Sequence, residues 1–220
     1  MGHRGAALSA PENTLAGFRR AAAVGAPWVE FDVNLTADGA CVVHHDETLL
    51  RTTGADARVD ASSLAMISSL DAGAWFGAAF AGEAPPSLTR ALALIAELGL
   101  GANIGLKTCP KGREGELAIA VGAAVASAWP ADRSDIIVSS FDDPLLAAAR
   151  RHLPDLPRGM IAARQPRSWL ARARRLGCAA PRGRDTGAGQ THQRARLRLR
   201  PRRMVGGRPG AGLGIVGPGR

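Results

Sequence analysis

The 220-residue chain predicts an α/β fold of repeated strand–helix units, whose closed form is a (β/α) barrel. Three observations predict it. Amphipathic helical segments alternate with short strand-like runs. One of those runs carries apolar and polar side chains in strict alternation. The unusual polar residues gather where strands end, which is where barrel enzymes keep their chemistry.

In chain order, Asn13 and Thr14 are placed to cap a helix running to about Val24, with Leu15, Phe18, Ala21 and Ala22 on one face and Gly25 at its exit. The run Trp28–Leu35 predicts a strand with Val29, Phe31 and Val33 on one side and Glu30, Asp32 and Asn34 on the other. Asp38-Gly39 marks a turn into a second strand over 40–44, which ends at His45-Asp46. Ser87 caps a helix over 88–98 that stops at Gly99, and a strand over 102–107 follows. The alternation continues as helix 116–128, strand 136–140, helix 144–151, strand 158–161, helix 168–176 and a strand beginning at Cys178.

Composition narrows the class. Hydrophobic residues at 46% and charged residues at 21% exclude disordered, collagen-like and coiled-coil chains. No apolar run approaches the roughly 20 residues of a bilayer span, and no leader opens the chain, so the sequence reads as soluble and cytoplasmic. Cys41, Cys109 and Cys178 follow no metal or redox spacing and are expected as reduced thiols. The net charge of +9 is uneven: residues 1–180 carry 18 Lys+Arg and 18 Asp+Glu, whereas 181–220 carry 10 Arg against Asp185 alone. A basic tail can bind phosphate backbones without specificity, but this one has no aromatic residue for base stacking, so no specific nucleic-acid partner is expected.

The candidate chemistry lies in His3-Arg4-Gly5, Glu12-Asn13-Thr14, Glu30, Asp32, His45-Asp46 and Lys107. Two histidines can exchange a proton, two carboxylates can hold a hard divalent cation, and Arg4 and Lys107 can neutralise a phosphate. Those parts together describe phosphodiester cleavage. Some residues have plainer readings. His44 and His45 face opposite sides of a strand, so one of the two enters a site and the other is structural or outward-facing. Asp46 either orients His45 or caps a turn. Trp75, Phe76 and Phe80 read as the core of a small insertion.

The order of the motifs His3-Arg4-Gly5, Pro11-Glu12-Asn13-Thr14, Glu30-Phe31-Asp32-Val33, Asp38-Gly39, His45-Asp46, Arg51-Thr52-Thr53, Leu70-Asp71-Ala72-Gly73 and Lys107 resembles the glycerophosphodiester phosphodiesterase family, in its bacterial cytoplasmic branch. The resemblance covers about residues 2–180. It implies a TIM-type (β/α)8 barrel of the phospholipase-C-like phosphodiesterase kind over 1–180, with an insertion at about 54–86. It also implies hydrolysis of glycerophosphodiesters to sn-glycerol 3-phosphate and an alcohol with a bound divalent cation, calcium or magnesium. On that resemblance His3 and His45 are the general acid and base, Glu30 and Asp32 are metal ligands, Arg4 and Lys107 contact phosphate, and His45 rather than His44 is the histidine in the site. The resemblance further implies that the glycerol hydroxyl beside the phosphate attacks first and that water then opens the cyclic product.

Three departures from that pattern carry expectations. Gly105 stands where the family places a third carboxylate ligand, which predicts weak cation binding or a catalytically impaired relative. Only Met1 and Gly2 precede His3, so the first strand is expected to be incomplete and His3 to fray. From Pro181 the Arg/Gly/Pro-rich text matches what a one-base shift in GC-rich DNA yields, so a disordered tail is expected in place of the closing strands, and the unclosed barrel, with its sheet edges open, is expected to have low stability or to aggregate.

Overall fold

A computed structural model describes residues 1–162 and 168–178. The tail expected over 181–220, with the shifted frame inferred for it, lies outside the described residues, as does the continuation of a strand from Cys178. Strand β1 (Gly2–His3) leads to helix α1 (Leu15–Ala23), strands β2 (Trp28–Leu35) and β3 (Cys41–Val43), and an insertion holding the short helices α2 (Leu50–Thr53) and α3 (Leu64–Ile67). Then follow α4 (Leu88–Glu97), β4 (Gly101–Leu106), α5 (Glu114–Ala128), β5 (Ile136–Ser140), α6 (Asp143–His152), β6 (Arg158–Met160) and α7 (Trp169–Arg175).

The strands β1-β2-β4-β5-β6 form one sheet in that order, every neighbouring pair parallel. This is the strand–helix repeat of a (β/α) barrel, open among the described residues. β3 is different: it pairs antiparallel with β2, after the Asp38-Gly39 turn. Val29 pairs with both Gly2 and Ala102, and Val33 with both Val43 and Leu106, so β1 and β3 share the β2 edge that faces away from β4. The N-terminal motif and the His45 turn are thereby delivered to the same edge.

The alternation in β2 has the expected consequence. Val29, Phe31 and Val33 are fully buried in the core beneath the helices, with Phe18 of α1 edge-on to Phe31 at 5.4 Å and Leu92, Ile95, Leu117 and Val121 completing the layer. Ala102, Ile104 and Val138 continue that face across β4 and β5. The opposite face carries Glu30, Asp32 and Asn34, facing Asn103 and Gly105 of β4 across the register. One face is apolar and helix-covered, the other polar, which is how a barrel separates its packing from its interior.

Local signals account for most boundaries. The Thr14 hydroxyl accepts from Gly17 N–H and the Ser87 hydroxyl from Arg90 N–H, capping α1 and α4. Gly25 and Gly99, both at positive φ, close the same helices. Helix α5 starts two residues before the expected position, with Glu114 and Glu116 both in its first turn, where carboxylates oppose the positive end of the helix dipole. Two further expectations are corrected. His3 is paired in register with Glu30 rather than frayed. The insertion buries Val42, Leu49, Val59 and Ile67 as its core, while Trp75, Phe76 and Phe80 stack edge to face on its half-exposed surface.

Candidate active site

The site begins with a strained turn. Arg4 takes φ +52 and Asn13 φ +55, a region that costs a non-glycine residue about 1–2 kcal/mol and is kept only where the surroundings enforce it. They are enforced here: Asn13 N–H donates to Arg4 carbonyl at 3.0 Å, Arg4 N–H to Glu30 Oε2 at 3.2 Å, and Gly5 N–H to Glu30 carbonyl at 3.2 Å. Gly5 is required at this point, since at φ +85 a Cβ would lie 2.8 Å from the Gly17 backbone.

Around the β2 acids the charges converge. His3 Nε2 lies 3.8 Å from Glu30 Oε2, Arg4 Nε 3.4 Å and Lys107 Nζ 3.5 Å from the two Asp32 oxygens, and Arg4 Nη1 donates to Glu12 at 2.9 Å. Burial, and then the adjacent Asp32 charge, pushes Glu30 up to about 7. Burial and the Arg4 charge lower His3, and the charges felt at its ring include Asp32, Glu12 and His45. β4 ends at Leu106, so Lys107 stands just beyond the strand and reaches back to Asp32.

His45 belongs to a second, linked cluster. Its Nδ1 lies 2.6 Å from Asp46 Oδ1, and Arg51 Nε donates to the other Asp46 oxygen at 2.6 Å. Arg51 also forks onto Glu12, at 2.6 and 3.0 Å. Burial would raise Asp46, but the hydrogen bonds from Arg51 and His45 hold it at about 2. An ionised carboxylate only accepts, so His45 Nδ1 carries the proton and Nε2 is left for transfer. Asp46 therefore orients His45. His44 is buried with Nε2 on the Thr48 carbonyl at 3.0 Å, and burial lowers its pKa, which makes it structural.

Of the six residues expected in the site, His3, Arg4, Glu30, Asp32 and Lys107 meet directly, and His45 joins them through Asp46, Arg51, Glu12 and Arg4. Asn13 and Arg51 stand in the sequence motifs without an assigned role in the site, and their contacts to Asp32, Asp46 and Glu12 are given by the tertiary structure alone. The two β2 carboxylates are the donors a hard cation would use, and their mutual repulsion in a buried setting is the kind that a cation relieves. A Cβ on Gly105 would lie 3.2 Å from Glu30 Oε1 and 3.5 Å from Asp32 Oδ1, so that position faces both acids and supplies no oxygen. Among the described residues, no three His, Cys, Asp or Glu side chains group to hold a metal. The donor set fits a cation gripped by two side chains.

His3, the two β2 acids and the cationic Arg4 and Lys107 thus meet at the polar face of this α/β sheet. Residues 3–185 match the model of the glycerophosphoryl diester phosphodiesterase family, and the chain belongs to that family. A Caldanaerobacter subterraneus glycerophosphodiester phosphodiesterase is 45% identical over 108 residues, 49% of this chain and 44% of that protein. A Bacillus subtilis glycerophosphodiester phosphodiesterase is 41% identical over 86 residues, 39% of this chain and 29% of that protein. The chain thus spans less than half the length of either. Among solved structures, an Oleispira antarctica phosphodiesterase in complex with its product sn-glycerol-3-phosphate superposes with TM-score 0.77 at 38% identity, over 80% of this chain and 71% of that one. The Agrobacterium tumefaciens glycerophosphodiester phosphodiesterase gives TM-score 0.63 at 35% identity, over 71% and 63%. The TIM-type barrel fold follows from these neighbours together with the parallel sheet.

Proposed function

We propose that this chain hydrolyses glycerophosphodiesters to sn-glycerol 3-phosphate and an alcohol, with His3 and His45 exchanging protons and Arg4 and Lys107 binding the phosphate. The observation that carries the reading is the convergence of His3, Glu30, Asp32, Arg4 and Lys107 at one polar sheet face of a family member, with His45 linked to them through Asp46, Arg51 and Glu12. The relative crystallised with sn-glycerol-3-phosphate supports the product class.

Desolvation and the Arg4 charge lower the His3 pKa, which favours its neutral form and suits it to take the proton of the attacking glycerol hydroxyl. The new P–O bond forms as the bond to the departing alcohol breaks, and His45, entering this step as the imidazolium with Nδ1–H held by Asp46, supplies the proton that the alkoxide needs from Nε2. Arg4 and Lys107 trade part of their contact with Asp32 for the phosphate oxygens. Glu30 and Asp32 would hold a divalent cation, calcium or magnesium, whose chemistry when bound is to lower the pKa of the attacking hydroxyl and offset charge on phosphorus. Water opens the cyclic phosphate with the two histidines in exchanged roles. The three unpaired cysteines support a reducing compartment such as the cytoplasm.

Gly105 favours a second reading, a relative that binds glycerophosphodiesters and turns them over poorly. One experiment separates them: incubate the chain with glycerophosphocholine and millimolar magnesium or calcium, with and without chelator, and follow phosphorus by NMR. Chelator-sensitive appearance of sn-glycerol 3-phosphate supports the enzyme. Binding without product supports the impaired relative, and neither event rejects both.

A further inference from the structure

We infer that Arg51 is a positioning residue for catalysis, the clamp that holds His45 in its transfer-competent orientation by pinning Asp46 to Glu12; this deepens the proposed hydrolase reading and rests on it. One guanidinium makes three short contacts to two carboxylates that are distant in sequence: Nε to Asp46 Oδ2 at 2.6 Å, Nη2 to Glu12 Oε1 at 2.6 Å and Nη1 to Glu12 Oε2 at 3.0 Å. Asp46 is thereby divided, one oxygen for Arg51 and the other for His45 Nδ1. Glu12 is divided in turn between Arg51 and Arg4. The result is an unbroken chain of charge-assisted hydrogen bonds from the imidazole to Arg4 of the N-terminal motif, next to His3.

The position of Arg51 is itself fixed. It sits on α2 between Leu49 and Thr52, both buried, and Leu49 is part of the insertion core with Val42, Val59 and Ile67. The insertion therefore presents a guanidinium from a rigid base. An isolated exposed ion pair would be worth little, but Glu12 is mostly shielded and the fork onto it is two-pronged, so geometry is enforced from both ends. Without Arg51, Asp46 can rotate away from the ring, and His45 then samples both tautomers and more than one ring orientation. That is a loss in turnover with little change in substrate binding.

The test is a double-substitution cycle with a spectroscopic readout. For glycerophosphocholine hydrolysis, Arg51→Met is expected to lower kcat by roughly tenfold or more with KM within about threefold, comparable to other supporting residues that orient an imidazole. Asp46→Asn lowers kcat as well. Because Arg51 acts through Asp46, adding Arg51→Met to Asp46→Asn lowers kcat by no more than about twofold further. In ¹⁵N spectra of the imidazoles, His45 of the parent protein carries its proton on Nδ1, and Arg51→Met shifts it toward a tautomer mixture. Should Arg51→Met fail to fold, Arg51→Lys, which keeps the charge and stem but cannot fork onto both carboxylates, is read by the same criteria. Multiplicative losses in the double variant, or an unchanged His45 tautomer and kcat in the singles, overturn the assignment. If the parent chain turns over no glycerophosphodiester, the functional reading fails on its own, and the tautomer measurement alone decides the role of Arg51.

Discussion

Asn13 and Asp32 grip each other reciprocally: Asn13 Nδ2 donates to Asp32 Oδ2 at 3.1 Å, and Asp32 N–H donates to Asn13 Oδ1 at 3.2 Å. The pair fastens the loop after His3-Arg4-Gly5 to the central strand and fixes the carboxylate on which Arg4 and Lys107 converge.

Replacing Asn13 with Ala is expected to destabilise the protein by about 2–3 kcal/mol, from two lost hydrogen bonds beside a buried carboxylate and an alanine forced to φ +55. Asn13→Gly, which tolerates that backbone, falls between Ala and the parent. Urea titrations measure both, and an Asn13→Ala midpoint equal to that of the parent contradicts the account.

Gly105→Glu places a third carboxylate against Glu30 and Asp32. In chelator the variant melts below the parent, because three close acids repel and the new side chain enters space at the tight end of van der Waals contact. With calcium or magnesium the order reverses, with cation affinity at least about tenfold tighter, worth about 1.4 kcal/mol. Thermal melting against cation concentration reads both effects, and an unchanged cation response counts against Glu30 and Asp32 as the ligands.

Glu30 makes stability depend on pH. Its folded pKa of about 7 lies above the ordinary 4.5, so the folded state binds the proton more tightly. The associated stability is complete below about pH 4.5 and is lost as pH rises through about 7, on the order of 3 kcal/mol by linkage. Glu30→Gln removes that dependence. In chelator it should melt above the parent at pH 8, with the difference shrinking as pH falls and vanishing only below about pH 4.5; parallel melting curves across that range would refute the burial of the charge.

Much of this was legible before the structure because it is periodic or local. Strict alternation in Trp28–Leu35 separates the core residues Val29, Phe31 and Val33 from the acids, and Thr14 and Ser87 announce their helices. The roles expected of Lys107 and His45 came from the family resemblance, since neither stands out by spacing. The Arg51 bridge was not legible, because Glu12 is 39 residues away and periodicity carries no information on long-range ion pairs. The position of Asn13 before the first helix predicts a cap, whereas tertiary contacts hold it left-handed with its amide on Asp32. The hydrophobicity of the aromatic trio predicts core, but smaller residues of the insertion pack inward and leave it at the surface.

The most direct test of the central claim compares the rate of glycerophosphocholine hydrolysis in His3→Ala, His45→Ala and the double variant, each checked for an unchanged melting temperature. Two imidazoles serving one displacement predict a loss of roughly 10²–10⁴ for each single variant and little further loss in the double. A folded single variant that keeps a rate within about threefold of the parent would contradict the account.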